Sequence, residues 1–110
     1  MAYDERLAER IRGALAGRPA VTERKMFGGI AFMVGGNMAV GVVRDDLMVR
    51  VGSEAHEGAL SQPHVREMDF AGRPMRGMVY VAPPGVESDA DLDRWVEAGA
   101  DYAGSLPPKS

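Results

Sequence analysis

Three sets of residues in this chain are of types that could do chemistry. His56 and His64 have Glu54, Glu57 and Glu67 around them, the composition of a two-histidine, one-carboxylate metal site. His56 falls in a short helical segment and His64 follows Pro63, so the expected placement is a pair of solvated surface histidines. Asp89, Asp91 and Asp93 imitate the first half of a calcium-binding loop. The sixth position would then be Arg94 where glycine is required, and the twelfth Ala100 where glutamate is required, so the calcium reading fails. Acidic residues in the first turn of a helix complement its dipole and account for the set without a metal. Asp45, Asp46 and Asp69 are candidate acid–base groups, but Asp45-Asp46 sits where a hairpin turn is expected, and no serine stands in a G-x-S-x-G setting. No nucleophile–base pair emerges, and no catalytic residue, cofactor or metal ligand is assigned.

Gly28-Gly29 and Gly35-Gly36 invite a phosphate-cradle reading, yet neither pair leads into a helix N-terminus and no phosphate-loop spacing exists. A bulge or close backbone approach at Gly28-Gly29 and a turn at Gly35-Gly36 are the expected roles.

The elements that position these residues follow from periodicity. Asp4 is an N-cap, and Leu7, Ala8, Ile11, Ala14 and Leu15 form one stripe of a helix that Gly17 and Pro19 stop. Residues 25–51 then hold three apolar runs separated by Gly35-Gly36-Asn37 and Arg44-Asp45-Asp46, which reads as an antiparallel meander. The expected strands cover residues 25–34, 38–43 and 47–51. Met26, Ile30, Phe32 and Val34 face the helices, Met38, Val40 and Val42 share a face, and Leu47, Val49 and Val51 share another. Ser53 is expected to cap a short helix through Leu60. Residues 66–70 and 76–82 form a second hairpin around Ala71-Gly72-Arg73-Pro74, and Ser88 caps a last helix with Leu92, Trp95, Val96, Gly99, Tyr102 and Ala103 in its stripe. The order α-β(3)-α-β(2)-α predicts an α+β, two-layer domain: a mostly antiparallel five-stranded sheet with helices on one face.

Length and charge agree. One domain spans residues 1–110, with 107–110 a short tail, and 110 residues close one core. No apolar run reaches the roughly 20 residues of a membrane helix, and the charged N-terminus holds no signal-peptide core. With no cysteine, disulfides and thiol catalysis are excluded, and a cytoplasmic location is the simplest reading. The net charge of −3 is uneven: residues 1–82 sum to +1 and residues 83–110 to −4. No concentrated basic face is advertised, which counts against direct nucleic-acid binding.

Lys25-Met26-Phe27-Gly28-Gly29, Asp46-Leu47-Met48-Val49-Arg50-Val51-Gly52, Met68-Asp69-Phe70, Gly72-Arg73-Pro74-Met75 and Gly77-Met78-Val79-Tyr80-Val81, in that order, resemble the N-terminal domain of the TfoX/Sxy family. The resemblance runs from about Tyr3 to Pro108 and implies a two-layer fold similar to type III secretion chaperones. The family's best-known full-length members regulate natural competence in bacteria, working with a cyclic-AMP-responsive transcription factor. They carry a second, helical domain, so this chain matches the stand-alone form. The family supplies no catalytic residues.

The expected function is therefore a non-enzymatic, cytoplasmic protein-interaction or regulatory module. Its partner is a protein, a transcription regulator among the candidates, or a second copy of the chain. Met33, Val43 and Met48 are the residues assigned to association, because seven of the eight methionines lie between residues 26 and 78 and methionine adapts to irregular partner surfaces. With Ala39, Gly41, Val79 and Val81 they are expected on the sheet face opposite the helices. Lys25, Arg73 and Arg76, with Arg24 and Arg66, are assigned to an acidic partner if the strand ends converge. The alternative is a small-molecule-binding domain or small enzyme with a pocket between sheet and helices near Phe27, Trp95 and Tyr102. Nucleic-acid binding is a third reading.

Overall fold

The computed structural model describes residues 3–26, 28–70 and 73–108, with backbone alone at 69–70 and 73–74. Phe27 and the Ala71-Gly72 part of the expected turn lie outside the described residues. The order is α1 (Glu5–Leu15), β1 (Val21–Met26), β2 (Gly29–Val34), β3 (Asn37–Val43), β4 (Asp46–Arg50), α2 (His56–Leu60), β5 (Val65–Phe70), β6 (Arg73–Val81), a 3-10 turn (Pro83–Val86) and α3 (Asp89–Ser105). The strands form one sheet in the order β1-β2-β3-β4-β6-β5, with every neighbouring pair antiparallel.

The sheet has six strands where five were expected. The apolar run at 25–34 is not one strand: Gly28, at φ +74°, turns the chain, and Val21–Met26 returns alongside Gly29–Val34. Four of the six residues in β1 are charged or hydroxyl-bearing and exposed, which suits an edge strand that must not recruit a further strand. Gly29 meets the expectation of a close approach, since a Cβ there would lie 2.0 Å from the Val42 carbonyl oxygen. Gly35 and Gly36, at φ +60° and +82°, form the β2–β3 turn that only residues tolerant of left-handed backbone can make.

The caps hold as read at two helices. Asp4 accepts hydrogen bonds from the Arg6 and Leu7 amides at 2.9 and 3.1 Å, and Ser88 Oγ accepts from the Asp91 amide at 3.1 Å. At α2 the expectation fails: Ser53 offers only its carbonyl, to His56 N–H at 3.4 Å, and Ala55 is the cap residue.

All three helices send residues into one core. Leu7, Ile11 and Leu15 of α1, Ala59 of α2 and Leu92, Trp95, Val96 and Ala103 of α3 pack on Ile30, Phe32, Val34, Val40, Val42, Leu47, Val49, Val79 and Val81. Helix α3 comes closest where Gly99 meets β3; a Cβ on Gly99 would lie 2.5 Å from the Ala39 carbonyl oxygen. A second, smaller cluster of Met48, Met68 and Met78 lies apart from this core.

Several facing assignments are corrected. Ala39, expected opposite the helices, is buried in their core, and Met26, expected to face them, follows the Lys25–Ile30 pair and so takes the other side. Val79 and Val81, expected opposite the helices, pair with Val49 and Leu47 and share their helix-facing side, so Met78 and Tyr80 take the other face. Met38 does not share a face with Val40. Phe32 pairs with Val40 but Met33 pairs with Met38, so Ala39 is an extra residue that reverses the alternation.

Candidate interaction surface

Ladder partners present their side chains to the same face of a sheet. From Met33 opposite Met38, through Gly41 opposite Met48, Met48 opposite Tyr80 and Val43 opposite Asp46, the register builds one face away from the helices. It has two tiers. Met48, Met68 and Met78 form a floor at 1, 1 and 5% exposure. Met38, Val43, Met75 and Tyr80 are half-buried and packed on that floor, and Met33 is half-buried beside Met38. Gly41 leaves room beside the floor: a Cβ there would lie 2.6 Å from Met48 Cε and 2.7 Å from the Ile30 carbonyl oxygen, and the backbone oxygen cannot swing aside.

Of the residues assigned to association, Met33 and Val43 are half-buried on this face and Met48 lies beneath its surface. Met38, Met75 and Tyr80 belong to the same surface and were not assigned. The signal for Met38 was weak, since an alanine bulge carries no compositional mark.

The basic residues are not gathered into one patch. Lys25 pairs with Ile30, whose side chain enters the helix-side core, so it sits on the other side of edge strand β1. Arg76 lies against α2, its guanidinium donating to Glu57 at 3.3 Å and to the Ser53 carbonyl at 3.3 Å. Strands β1 and β6 are four strand intervals apart, about 19 Å. Arg73 pairs with Phe70 in the β5–β6 ladder. Arg66 reaches the methionine face, 4.7 Å above the Tyr80 ring and 2.6 Å from Asp46. Arg10, Arg12, Arg18, Arg66, Arg76 and Arg94 each stand beside a carboxylate, so much of the positive charge is neutralised locally.

His56 overturns its expected surface placement. It is 1% exposed, and its Nδ1 accepts the Gly77 N–H at 2.9 Å. An accepting Nδ1 carries no proton, so the proton of the neutral ring sits on Nε2, which faces Glu67 at 3.4 Å. Both ring nitrogens are thereby occupied in tying α2 to β5 and β6. The spacing of His56, Ala59 and Leu60 at i, i+3 and i+4 was the available signal for burial. His64 is exposed at φ +66°. Among the described residues, no group of three or more His, Cys, Asp or Glu is placed to hold a metal ion. The serine hydroxyls serve the helices: Ser61 and Ser105 donate to the Gly58 and Tyr102 carbonyls, and Ser88 caps α3.

The space between sheet and helices is filled by the core, and clefts open between helices and, past Val43, Asp46, Arg66 and Tyr80, on the sheet. One of about 510 Å³ runs between α2 and α3, past Ala55, Ala59, Gln62, Arg94, Trp95 and Ala98. Trp95 is 4% exposed there, under the Arg94 guanidinium at 5.0 Å. Tyr102 lies elsewhere, packed on Gly52 and beneath Arg50 at 5.5 Å. The two aromatic rings therefore do not line one pocket. Among the described residues no helix is long and apolar enough to cross a membrane.

No curated protein and no solved structure matches the chain. The family model for the TfoX N-terminal domain does, over residues 13–103, from the second half of α1 to the last turns of α3. That match takes in every strand of the sheet, and the chain belongs to the TfoX N-terminal domain family.

Proposed function

We propose that this domain is a non-enzymatic protein-interaction module, and that the methionine face is where it binds. The observation that carries the reading is the two-tier face: a half-buried layer of Met33, Met38, Val43, Met75 and Tyr80 lies over a buried methionine floor. All three helices contribute to the opposite core. A sheet face of flexible thioethers conforms to a partner's shape at low cost in strain. Five strands at about 4.8 Å and five residues at about 3.3 Å give roughly 400 Å² of sheet, near half the area one partner contributes to a standard interface. That size favours a reversible complex over an obligate one.

The occupant this face fits first is a second copy of the chain. A two-fold contact sets methionine on methionine, and the rim holds both signs of charge, with Arg66 beside Asp46 and Arg24 on edge strand β1, for a self-complementary border. In the regulatory setting that the family resemblance implies, related to bacterial competence and transcription regulation in the cytoplasm, the same face would take a transcription regulator.

The experiment is the concentration-dependent mass in solution of the wild type and of Met33→Glu with Met38→Glu, with circular dichroism as the check on folding. A wild-type dimer that the folded double variant fails to form supports the reading. An equal mass for both proteins overturns the dimer.

A further inference from the structure

We propose that Met33 and Met38, with Met75, form a modification site: surface-tier thioethers that oxidants convert to methionine sulfoxide, releasing a second copy of the chain docked on this face. The consequence for binding rests on the interaction reading above; the oxidation itself rests on geometry alone. The chain has no cysteine, so its only oxidisable sulfur is thioether, and most of that sulfur is concentrated on one sheet face. The face sorts its methionines by access. Met33 and Met38, half-buried ladder partners at the turn-proximal end of β2 and β3, stand in the accessible tier with the half-buried Met75, while Met48, Met68 and Met78 are closed off at 1, 1 and 5% exposure. Peroxide must reach the sulfur itself, so the upper tier reacts and the floor is protected.

The step balances with hydrogen peroxide as the oxidant. A sulfur lone pair attacks one peroxide oxygen, the S–O bond forms as the O–O bond breaks, and the departing hydroxide takes the proton from the oxygen now bound to sulfur, leaving the sulfoxide and water. Sulfur loses two electrons and the peroxide gains them. The product is a polar, strongly accepting group in the middle of an apolar contact. Burying one such acceptor without a donor weakens association by about tenfold or more. The floor keeps the fold intact while the surface changes character, which separates binding from stability.

The test is graded hydrogen peroxide on the full chain, with fragment-ion mapping of added oxygen and solution mass at each dose. Oxygen is expected on Met33, Met38 and Met75 well before Met48, Met68 or Met78. The dimer is expected to weaken by about tenfold or more, recover with a methionine sulfoxide reductase, and persist in the triple variant Met33→Leu, Met38→Leu and Met75→Leu. Equal oxidation of the floor and the surface tier overturns the site. Loss of the triple-leucine dimer at the same dose as the wild type overturns the release mechanism. If untreated protein is monomeric at every concentration, the interaction reading and the release fail together, and the mapped order alone decides the modification site.

Discussion

Met33 and Met38 face each other across β2 and β3 one residue out of step with the Phe32–Val40 pair beside them. Ala39 is the inserted residue. It lets Val40 and Val42 enter the helix-side core while Met38, two residues before Val40, emerges on the far side. A single bulge thus gives one strand two allegiances, and the methionine surface gains a member that simple alternation would have buried under α3.

The two tiers of that surface respond differently to charge. Met48→Glu places a carboxylate at a site with 1% exposure, packed among apolar side chains. A loss of about 3 kcal/mol or more, or failure to fold, is expected. Met33→Glu, half-buried at the surface, should cost about 1 kcal/mol or less. Urea denaturation of both variants checks this, and equal losses would mean that the face has one tier.

Gly99→Ala sets two effects against each other. Alanine gains about 1 kcal/mol over glycine in a helix interior. Its Cβ, however, would lie 2.5 Å from the Ala39 carbonyl oxygen and 2.7 Å from Val40 Cγ1, and a rigid strand backbone cannot move away as a side-chain tip can. Overpacking of this kind costs about 1–3 kcal/mol, so the net expectation is destabilisation, read as a lowered thermal midpoint. A raised midpoint would show that α3 can lift off β3 freely.

The fold was most legible where its causes are local. Asp4, Ser88 and Gly35-Gly36 act within a few residues of themselves, and each does what its chemistry predicts. The β1–β2 hairpin was missed because the turn at Gly28 interrupts a run whose apolar pattern reads through it. The charged stretch Glu23-Arg24-Lys25 was the mark of a separate edge strand. The Ala39 bulge and the facing of Val79 and Val81 depend on pairings between distant segments, which alternation along one strand does not encode. At the candidate surface, the abundance of methionine was visible in composition, but its division into floor and surface layer required the register.

His56 is a test of a buried polar tie. In His56→Leu the Gly77 N–H loses its acceptor, and a buried unsatisfied amide costs about 1–3 kcal/mol. Glu67→Gln, at the solvent-facing end of the same chain of contacts with a side chain 51% exposed, should cost well under 1 kcal/mol. The tautomer is checked separately by nitrogen chemical shifts: a protonated Nε2 and a bare Nδ1 are expected. A proton on Nδ1 would remove the Gly77 bond from the account.

Arg12 and Glu23 give the fold a definite acid dependence. The guanidinium grips the carboxylate with two bonds, Nε to Oε2 at 2.7 Å and Nη2 to Oε1 at 2.9 Å, joining α1 to β1. Hydrogen bonding from Arg12 holds the Glu23 carboxyl below the ordinary glutamate range, against the opposing pull of partial burial. A carboxyl whose folded pKa is depressed contributes stability above its unfolded value, about 4.3. That contribution is lost as pH falls through the lower folded value. With the side chains 36 and 38% exposed, solvent screens the pair, and about 0.5–1 kcal/mol is the expected scale. Glu23→Gln should therefore be less stable than wild type by that amount near neutral pH, and the two denaturation curves should converge as acid protonates Glu23. A difference that persisted undiminished into strong acid would assign the loss to packing and not to charge.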